Sequence, residues 1–145
     1  MMPRLSFKDS IEVKDILIPD DSSHFFIDVK GKTHIGRIRD ENQDNLKILL
    51  PPSVYPGVVG VLSVADGMGG HQGGAKASKI AINSFAKSVT SPLTTRSTKE
   101  IIKNAFRSAN NSIFLESKVP ELSGMGTTLT SAIITSNGVT IGHVG

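Results

Sequence analysis

The stretch VVGVLSVADGMGGH, residues 58–71, carries a single carboxylate from an apolar run into a cluster of glycines. The β-branched run from Val58 to Val64 predicts a buried strand. Asp66 follows where that strand is expected to end, and a carboxylate there needs water, a cation or another partner. The glycines around it allow backbone carbonyls and amides to approach a bound ion closely. The stretch therefore predicts a strand, an ion-binding turn and then a helix.

Three other interpretations of the glycine run remain open on these residues alone. A relaxed dinucleotide fingerprint begins at Gly67, although Asp66 beside it would repel a pyrophosphate. Gly69 and Gly74 have the separation of a P-loop, but Ala75 stands where the lysine belongs. Either pattern would make the chain a nucleotide-binding protein. The third alternative is a plain strand-to-helix turn in which Asp66 is only a cap.

Two further stretches decide between these interpretations. GRIRDENQD, residues 36–44, places cations, acids and amides in one polar turn, and GMGTTL, residues 124–129, precedes IGHVG at residues 141–145. Together with ADGMGGH at 65–71, these motifs resemble, in order and spacing, the type 2C family of metal-dependent serine/threonine protein phosphatases in its bacterial form. The resemblance covers roughly residues 26–145, and ordered motifs are far more specific than any one of them.

The resemblance implies a binuclear Mg²⁺ or Mn²⁺ centre that activates a water to attack phosphoserine or phosphothreonine. Asp66 would bridge the metals, and Gly67 would add its backbone carbonyl. Asp44 would lie at the edge of the site and hold metal-bound waters. Arg39 would bind the substrate phosphate through its guanidinium fork. The implied partners are phosphorylated proteins that are substrates of a serine/threonine kinase.

The chain departs from the family's usual pattern at several of these positions. Gln43 stands where many relatives carry glutamate, so it can hydrogen-bond a coordinated water but adds no charge. Met68 occupies the place of a histidine found in animal members. His71 is the nearest titratable side chain and becomes the candidate general acid, the alternative being a surface or capping histidine. Ala75 replaces a glutamate of bacterial relatives, which removes a favourable charge near the helix N-terminus.

The family's catalytic domain is considerably longer than 145 residues. Relatives continue past the position of Gly145 with Asp-Ser-Arg and later supply two further aspartates to the metal site. We therefore expect residues 1–23 to be an N-terminal extension and residues 24–145 to be the N-terminal part of a phosphatase domain, truncated within a strand. Such a fragment is expected to be inactive alone. A non-catalytic phosphoprotein-binding or regulatory fragment is the alternative.

The remaining pattern predicts a layered α/β or α+β domain. Strands are expected over 25–29, 46–50, 58–64 and 127–135, with a return strand from Val139 after the hairpin signal Asn137-Gly138. The first helix should bury a stripe of apolar and small residues: Ala77, Ile80, Ala81, Ser84, Phe85 and Val89. The second should open at the capping box Ser97-x-x-Glu100. The resemblance narrows the class to α+β, a four-layer α-β-β-α sandwich of two antiparallel sheets flanked by helices, incomplete in this chain.

Composition excludes several classes of protein. Sixteen Lys and Arg against thirteen Asp and Glu give a net charge of +3. This excess is dispersed, so no nucleic-acid partner is predicted. The absence of cysteine excludes disulfides and thiolate metal sites and fits a cytoplasmic protein. No apolar run reaches membrane-spanning length, and no membrane partner is predicted.

Overall fold

The computed structural model describes residues 12–17, 27–69, 72–91 and 97–145. Its strands and helices follow one another along the chain as β1 (Glu12–Leu17), β2 (Asp44–Leu49), β3 (Val58–Met68), α1 (Gln72–Thr90), α2 (Thr98–Glu116), β4 (Gly126–Thr127), β5 (Leu129–Thr135) and β6 (Gly138–Val144). A short 3-10 turn at Pro120–Leu122 connects α2 to β4. Neither helix combines the length and the hydropathy that a bilayer crossing needs, among the residues that are described.

The strands form one antiparallel sheet in the order β1-β6-β5-β3-β2, and β4 pairs with the end of β3. The long strand β3 therefore lies between β2 and β5. It is the strand that carries Asp66. Because hydrogen-bonded strands hold β3 on both sides, two hydrogen-bond ladders fix the backbone position of Asp66.

The helices cover one face of this sheet, where the core lies. Along β3, Val61 and Ala65 are buried and belong to the same hydrophobic cluster as side chains of both helices. Phe85 of α1 and Phe106 of α2 meet edge to face, with ring centroids 5.4 Å apart. Aromatic pairs in this arrangement contribute about 0.5–1.5 kcal/mol beyond the area they bury. The core thus holds α1 against the strand that carries Asp66, and α2 against α1 and the β5–β6 side of the sheet.

The opposite face of the sheet is also apolar. Leu46 and Ile48 of β2 are the register partners of Val64 and Leu62 of β3, so these four side chains share one face. The Val64 side chain is 57% exposed. Leu46, Ile48 and Leu62 are half-buried, and Gly31 lies against the first two. The exposed apolar side chain of Val64 beside them is consistent with a face that a second layer covers.

Both helices form as the sequence predicts. All six residues of the predicted α1 stripe are buried or half-buried, and the stripe is wider than predicted, because Ser78, Ile82 and Ala86 are buried as well. The Ser97 hydroxyl caps α2 by accepting a hydrogen bond from the Glu100 amide at 3.3 Å. Lys76 and Glu116 join the helices in an ion pair at 3.0 Å, which is half exposed and contributes at most about 1 kcal/mol.

The α+β class is confirmed at the level of an antiparallel sheet with two helices. The described residues contain one sheet with helices on one face, so the four-layer arrangement is not seen within them. The predicted strand over 25–29 is wrong for residues 27–29, which have no regular structure; its other residues lie outside those described. Strand propensity alone does not form a strand where no neighbour pairs with it.

Two further strand positions differ from the expected pattern. Residues 12–17, inside the expected N-terminal extension, form β1 and pair with β6. The strand expected over 127–135 is two strands, β4 and β5, separated at Thr128. The register with β3 does not shift across Thr128, since Val64–Thr130 and Gly67–Thr127 belong to the same register. The Thr128 amide donates to the Asp66 carbonyl as in a ladder, but the Asp66 amide donates to the Thr128 hydroxyl instead of its carbonyl, which interrupts the strand.

Tyr55 provides a test of the core. Its side chain packs against the core, and its hydroxyl has no hydrogen-bond partner among the described residues. Burial also raises the pKa of the Tyr55 phenol above its ordinary value of 10.0. Because an unpaired buried hydroxyl is costly, Tyr55→Phe should leave the free energy of unfolding unchanged or raise it by up to about 1 kcal/mol in urea denaturation at pH 7.

The raised pKa gives the same variant a second readout. The unfolded chain loses the phenolic proton at lower pH than the folded protein, so this tyrosine makes stability fall as the pH rises above 10.0. Tyr55→Phe should remove that part of the alkaline loss. A variant that loses more than about 1 kcal/mol at neutral pH would show that the hydroxyl is hydrogen-bonded.

Candidate metal and phosphate site

Two carboxylates face each other at one end of the sheet. Asp44, the first residue of β2, is the direct register partner of Asp66 in β3. Directly opposed residues of antiparallel strands project to the same face with Cβ atoms about 4.5–5.5 Å apart. Both residues are exposed. Like charges in this position repel, and a cation shared between them removes the repulsion.

Hydrogen bonds from the preceding turn orient Asp44. The Thr33 hydroxyl donates to Asp44 Oδ2 at 3.3 Å. Asn42 fixes both residues, because its Nδ2 donates to Thr33 Oγ1 at 2.9 Å and its Oδ1 accepts from the Asp44 amide at 3.0 Å. Thr33 and Asn42 thus hold Asp44 through its carboxylate and its backbone.

Asp66 is held through its backbone by the threonines that follow Gly126. Its amide donates to Thr128 Oγ1 at 3.1 Å, and its carbonyl accepts from the Thr128 amide and the Thr127 hydroxyl, each at 2.9 Å. These bonds occupy the main chain and leave the side chain uncommitted. Within the described part of the chain, the Asp66 carboxylate has neither a hydrogen bond nor an ion pair.

Gly67 lies where the end of β3 crosses the first turn of α1. A Cβ at this position would lie 2.1 Å from the carbonyl oxygen of Gly74 and 2.8 Å from that of Gln43. Only glycine permits this approach. The Gly67 amide donates to Gln43 O, and the Gly74 amide donates to Gly69 O, each at 3.1 Å. These two amides are therefore already paired, which weighs against a nucleotide-phosphate cradle in the glycine run.

Arg39, the residue predicted to bind the substrate phosphate, lies in the turn before Asp44. Gly36 opens this turn with a φ of 83°, and its amide donates to His34 Nδ1 at 2.9 Å. Arg39 follows in the same exposed turn, and no acidic side chain in the described ranges forms an ion pair with it. Its guanidinium is thus available to an anion. Direct contact between Arg39 and the two carboxylates is not found among the described residues.

The remaining predicted site residues have different outcomes. The structure brings Asp44, Asp66 and Gly67 together at the β2–β3 end. His71 lies outside the described residues. Among the described residues, no cluster of three or more His, Asp or Glu side chains surrounds this point. The pair and the nearby backbone therefore offer a partial set of oxygen donors.

This donor set fits a hard divalent cation. Carboxylates suit Mg²⁺ and Mn²⁺, whereas thiolates are absent from the sequence. Lys30, Lys32 and His34 line the same pocket as Asp44, but no base in the described ranges forms an ion pair with either acid, so the pair keeps the charge that such a cation neutralises. The residues present are consistent with a metal site.

Sequence reasoning did not assign roles to Thr33, Thr127 and Thr128. Thr127 and Thr128 lie inside the motif GMGTTL, residues 124–129, which is the signal that could have identified them. Their function depends on β4 returning to the end of β3, which spacing alone does not show. Thr33 lies eleven residues before Asp44 and had no motif to mark it.

Comparison with known proteins agrees with this geometry. Residues 30–145 match the family model described as protein phosphatase 2C. The chain is 36% identical over 118 residues to the serine/threonine phosphatase Stp of Listeria monocytogenes, covering 79% of this chain and 45% of that protein. It is 35% identical over 111 residues to the phosphatase PstP of Mycobacterium tuberculosis, covering 76% and 20%. The chain thus spans less than half of these relatives.

Solved structures agree as well. The catalytic domain of PstP in complex with two manganese ions superposes with a TM-score of 0.63 at 26% identity, over 94% of this chain and 48% of that chain. Stp1 from Staphylococcus aureus superposes with a TM-score of 0.68 at 24% identity, over 87% and 51%. The motifs, the opposed carboxylates and the matched family model lead to one conclusion: the chain belongs to the protein phosphatase 2C family.

Proposed function

We propose that the protein hydrolyses phosphoserine and phosphothreonine in proteins, at a binuclear Mg²⁺ or Mn²⁺ centre. The observation that carries the proposal is the direct register of Asp44 with Asp66. A pair of acids at this position is destabilising unless a cation lies between them. The manganese-bound PstP structure supports the same chemistry in a relative.

Each site residue then has a distinct task. Asp66 would hold the cations through its free carboxylate, together with Asp44 and the Gly67 carbonyl. The bound metal would acidify a water and polarise the phosphoryl group. Arg39 binds the phosphate oxygens and orients the phosphorylated side chain. His71 would give a proton to the leaving serine or threonine oxygen.

A second layer of the domain would complete this site. We expect residues 24–145 to be the N-terminal part of a longer phosphatase domain; the match to only 45% of the Listeria relative supports a domain longer than this chain. The open apolar face around Leu62 and Val64 is the surface on which the second sheet of a four-layer sandwich would pack. The rest of the domain would also bring further oxygen ligands, because two octahedral cations together take more oxygen donors than two carboxylates and one carbonyl supply, and waters fill only part of such a set.

A non-catalytic phosphoprotein-binding role is the second candidate. It is favoured by one observation, namely that the described residues bring together only two acidic side chains. Arg39 would still bind phosphate in such a protein. Hydrolysis of a bound phosphopeptide separates the two functions.

Arg39→Ala tests the phosphatase function in the extended protein, meaning this chain continued by the C-terminal part of the phosphatase domain. The variant should raise the KM for a phosphoserine peptide about tenfold or more, because it loses a charge-assisted phosphate contact. The kcat with saturating Mn²⁺ should change less, since this contact exists in the ground state as well as in the transition state. Phosphate release measured against peptide concentration gives both constants.

Arg37→Ala is the matched control, because Arg37 is an exposed arginine in the same turn. Its KM should stay within about threefold of the unaltered protein, as expected for a surface charge without a phosphate contact. Equal effects of both variants would show that the turn attracts phosphate by charge alone. Peptide binding without any Mn²⁺-dependent hydrolysis would contradict the phosphatase proposal and favour the binding role.

A further inference from the structure

Ser78 of α1 places a buried hydroxyl behind the metal site. The residue is 0% exposed. It lies six residues after Gln72, the first residue of α1, on the part of the helix nearest the site. Its Oγ donates to the Gln43 carbonyl at 2.6 Å and accepts from Asn45 Nδ2 at 2.9 Å. The Ala75 carbonyl, the acceptor that a serine inside a helix commonly uses, is farther away at 3.2 Å. The shorter bond therefore ties the helix to the chain around Asp44.

The Gln43 carbonyl is a shared acceptor in this arrangement. It receives the Ser78 hydroxyl and also the Gly67 amide, the latter at 3.1 Å. Gln43 directly precedes Asp44, and Gly67 directly follows Asp66. The bond between the Gln43 carbonyl and the Gly67 amide thus joins the two strands one residue beyond the opposed carboxylates. A displacement of Gln43 changes the separation of the acids that must share a cation.

Asn45 fixes the other side of the same chain segment. It follows Asp44 in β2, and its amide group reaches the Ser78 hydroxyl. The residues on both sides of Asp44 are therefore bonded to one atom of α1. Since the Asp44 side chain itself points to solvent, the helix controls its position through these neighbours.

We propose that Ser78 is a positioning residue for metal binding: its buried hydroxyl, together with Asn45, holds Asp44 opposite Asp66 at the spacing that a shared divalent cation requires. The inference rests on the proposed function, because it concerns the same metal site. Residues that orient metal ligands typically change metal affinity by about 10–100-fold when they are substituted. A hydroxyl with a merely structural role would change stability and leave metal affinity intact.

Ser131 offers a matched control for that distinction. It is buried, at 2% exposure, and its Oγ donates to Ser63 Oγ at 3.0 Å. Like Ser78→Ala, Ser131→Ala removes a buried hydroxyl oxygen, and it leaves the Ser63 hydroxyl without this partner. It lies in the middle of β5, and neither Asp44 nor Asp66 is bonded to it among the described residues.

The experiment compares Ser78→Ala and Ser131→Ala in the extended protein, using thermal unfolding in EDTA and calorimetric titration with Mn²⁺ alone. Both variants should lower the Tm of the metal-free protein by similar amounts. Only Ser78→Ala should weaken Mn²⁺ binding, by about tenfold or more. Equal Mn²⁺ affinities for the two variants would overturn the inference.

Asp66→Asn and Asn45→Ala complete the design. If Asp66→Asn abolishes Mn²⁺ binding while Ser78→Ala leaves it unchanged, the proposed function stands and the role of Ser78 is refuted. If Asp66→Asn also leaves binding unchanged, the metal site itself is wrong. Should Ser78→Ala fail to fold, Asn45→Ala decides, since it removes one bond of the same hydroxyl; unchanged Mn²⁺ affinity in Asn45→Ala would equally overturn the inference.

Discussion

Asp66→Asn in the extended protein should lower the rate of phosphopeptide hydrolysis on the order of 10³-fold or more, because metal polarisation supplies several kcal/mol of transition-state stabilisation. The substitution keeps the size of the side chain and removes only its charge. The backbone bonds from Thr127 and Thr128 to residue 66 do not involve the side chain, so folding should be unaffected. Steady-state turnover at saturating Mn²⁺, with circular dichroism as the folding check, measures the effect.

Asp40→Asn is the control for this variant. It removes the same charge from an exposed position in the turn before Asp44, and it should leave turnover within about threefold, as is usual for surface substitutions. If Asp66 were only a turn or helix cap, asparagine would serve about as well as aspartate. Normal turnover of Asp66→Asn would therefore favour the cap and refute the metal role.

Gly67→Ala is expected to be the most destabilising single methyl addition near the site. The new Cβ would lie 2.1 Å and 2.4 Å from the carbonyl oxygen and carbon of Gly74, and these are backbone atoms that no rotamer change can move. Relief requires α1 to move away from β3, so the free energy of unfolding should fall on the order of 3 kcal/mol or more. Urea denaturation in EDTA measures this loss independently of metal binding.

Gly124→Ala separates steric overlap from backbone strain. Gly124 has a φ of 80°, but a Cβ there meets no atom within 4 Å. The cost should be about 1–2 kcal/mol, the strain of a left-handed residue alone. A Gly67→Ala variant that is no less stable than Gly124→Ala would show that β3 and α1 do not approach each other as described.

The strongly periodic elements could be predicted from the sequence. The run from Val58 to Val64 forms the first part of β3, which continues to Met68. The Asn137-Gly138 signal marks the β5–β6 hairpin, and the Ser97 cap begins α2. In each case the local residues determine the structure, through β-branching, turn chemistry and capping. Local agreement of this kind makes these elements predictable without knowledge of their neighbours.

The strands that were predicted wrongly depend on partners that are distant in the sequence. Residues 27–29 have strand-like composition but no pairing partner in the described structure, whereas residues 12–17 pair with β6 despite a less distinctive pattern. The predicted strand is interrupted at Thr128 because its hydroxyl, and not its carbonyl, accepts the amide of Asp66, more than sixty residues earlier. Pairing across such distances is a tertiary property, and propensity does not encode it.

The candidate site also combines features that local sequence predicts with features that depend on tertiary pairing. The motifs identified Asp44, Asp66 and Gly67, but the direct opposition of the two acids follows only from the β2–β3 register. Ser78 could have been suspected, because it falls on the buried side of a helix whose apolar spacing was recognised. Its bonds to Gln43 and Asn45 require the packing of α1 on β2, which the sequence pattern does not show.

Anomalous diffraction from crystals of the extended protein grown with Mn²⁺ tests the central claim most directly. The opposed acids, the uncommitted Asp66 carboxylate and the family relationship predict a manganese peak within coordination distance of Asp66, on the side that faces Asp44. The same crystals of Asp66→Asn should lose that peak and keep the fold. A manganese-saturated crystal with no anomalous peak beside Asp66 would contradict the assignment of this strand end as the metal centre.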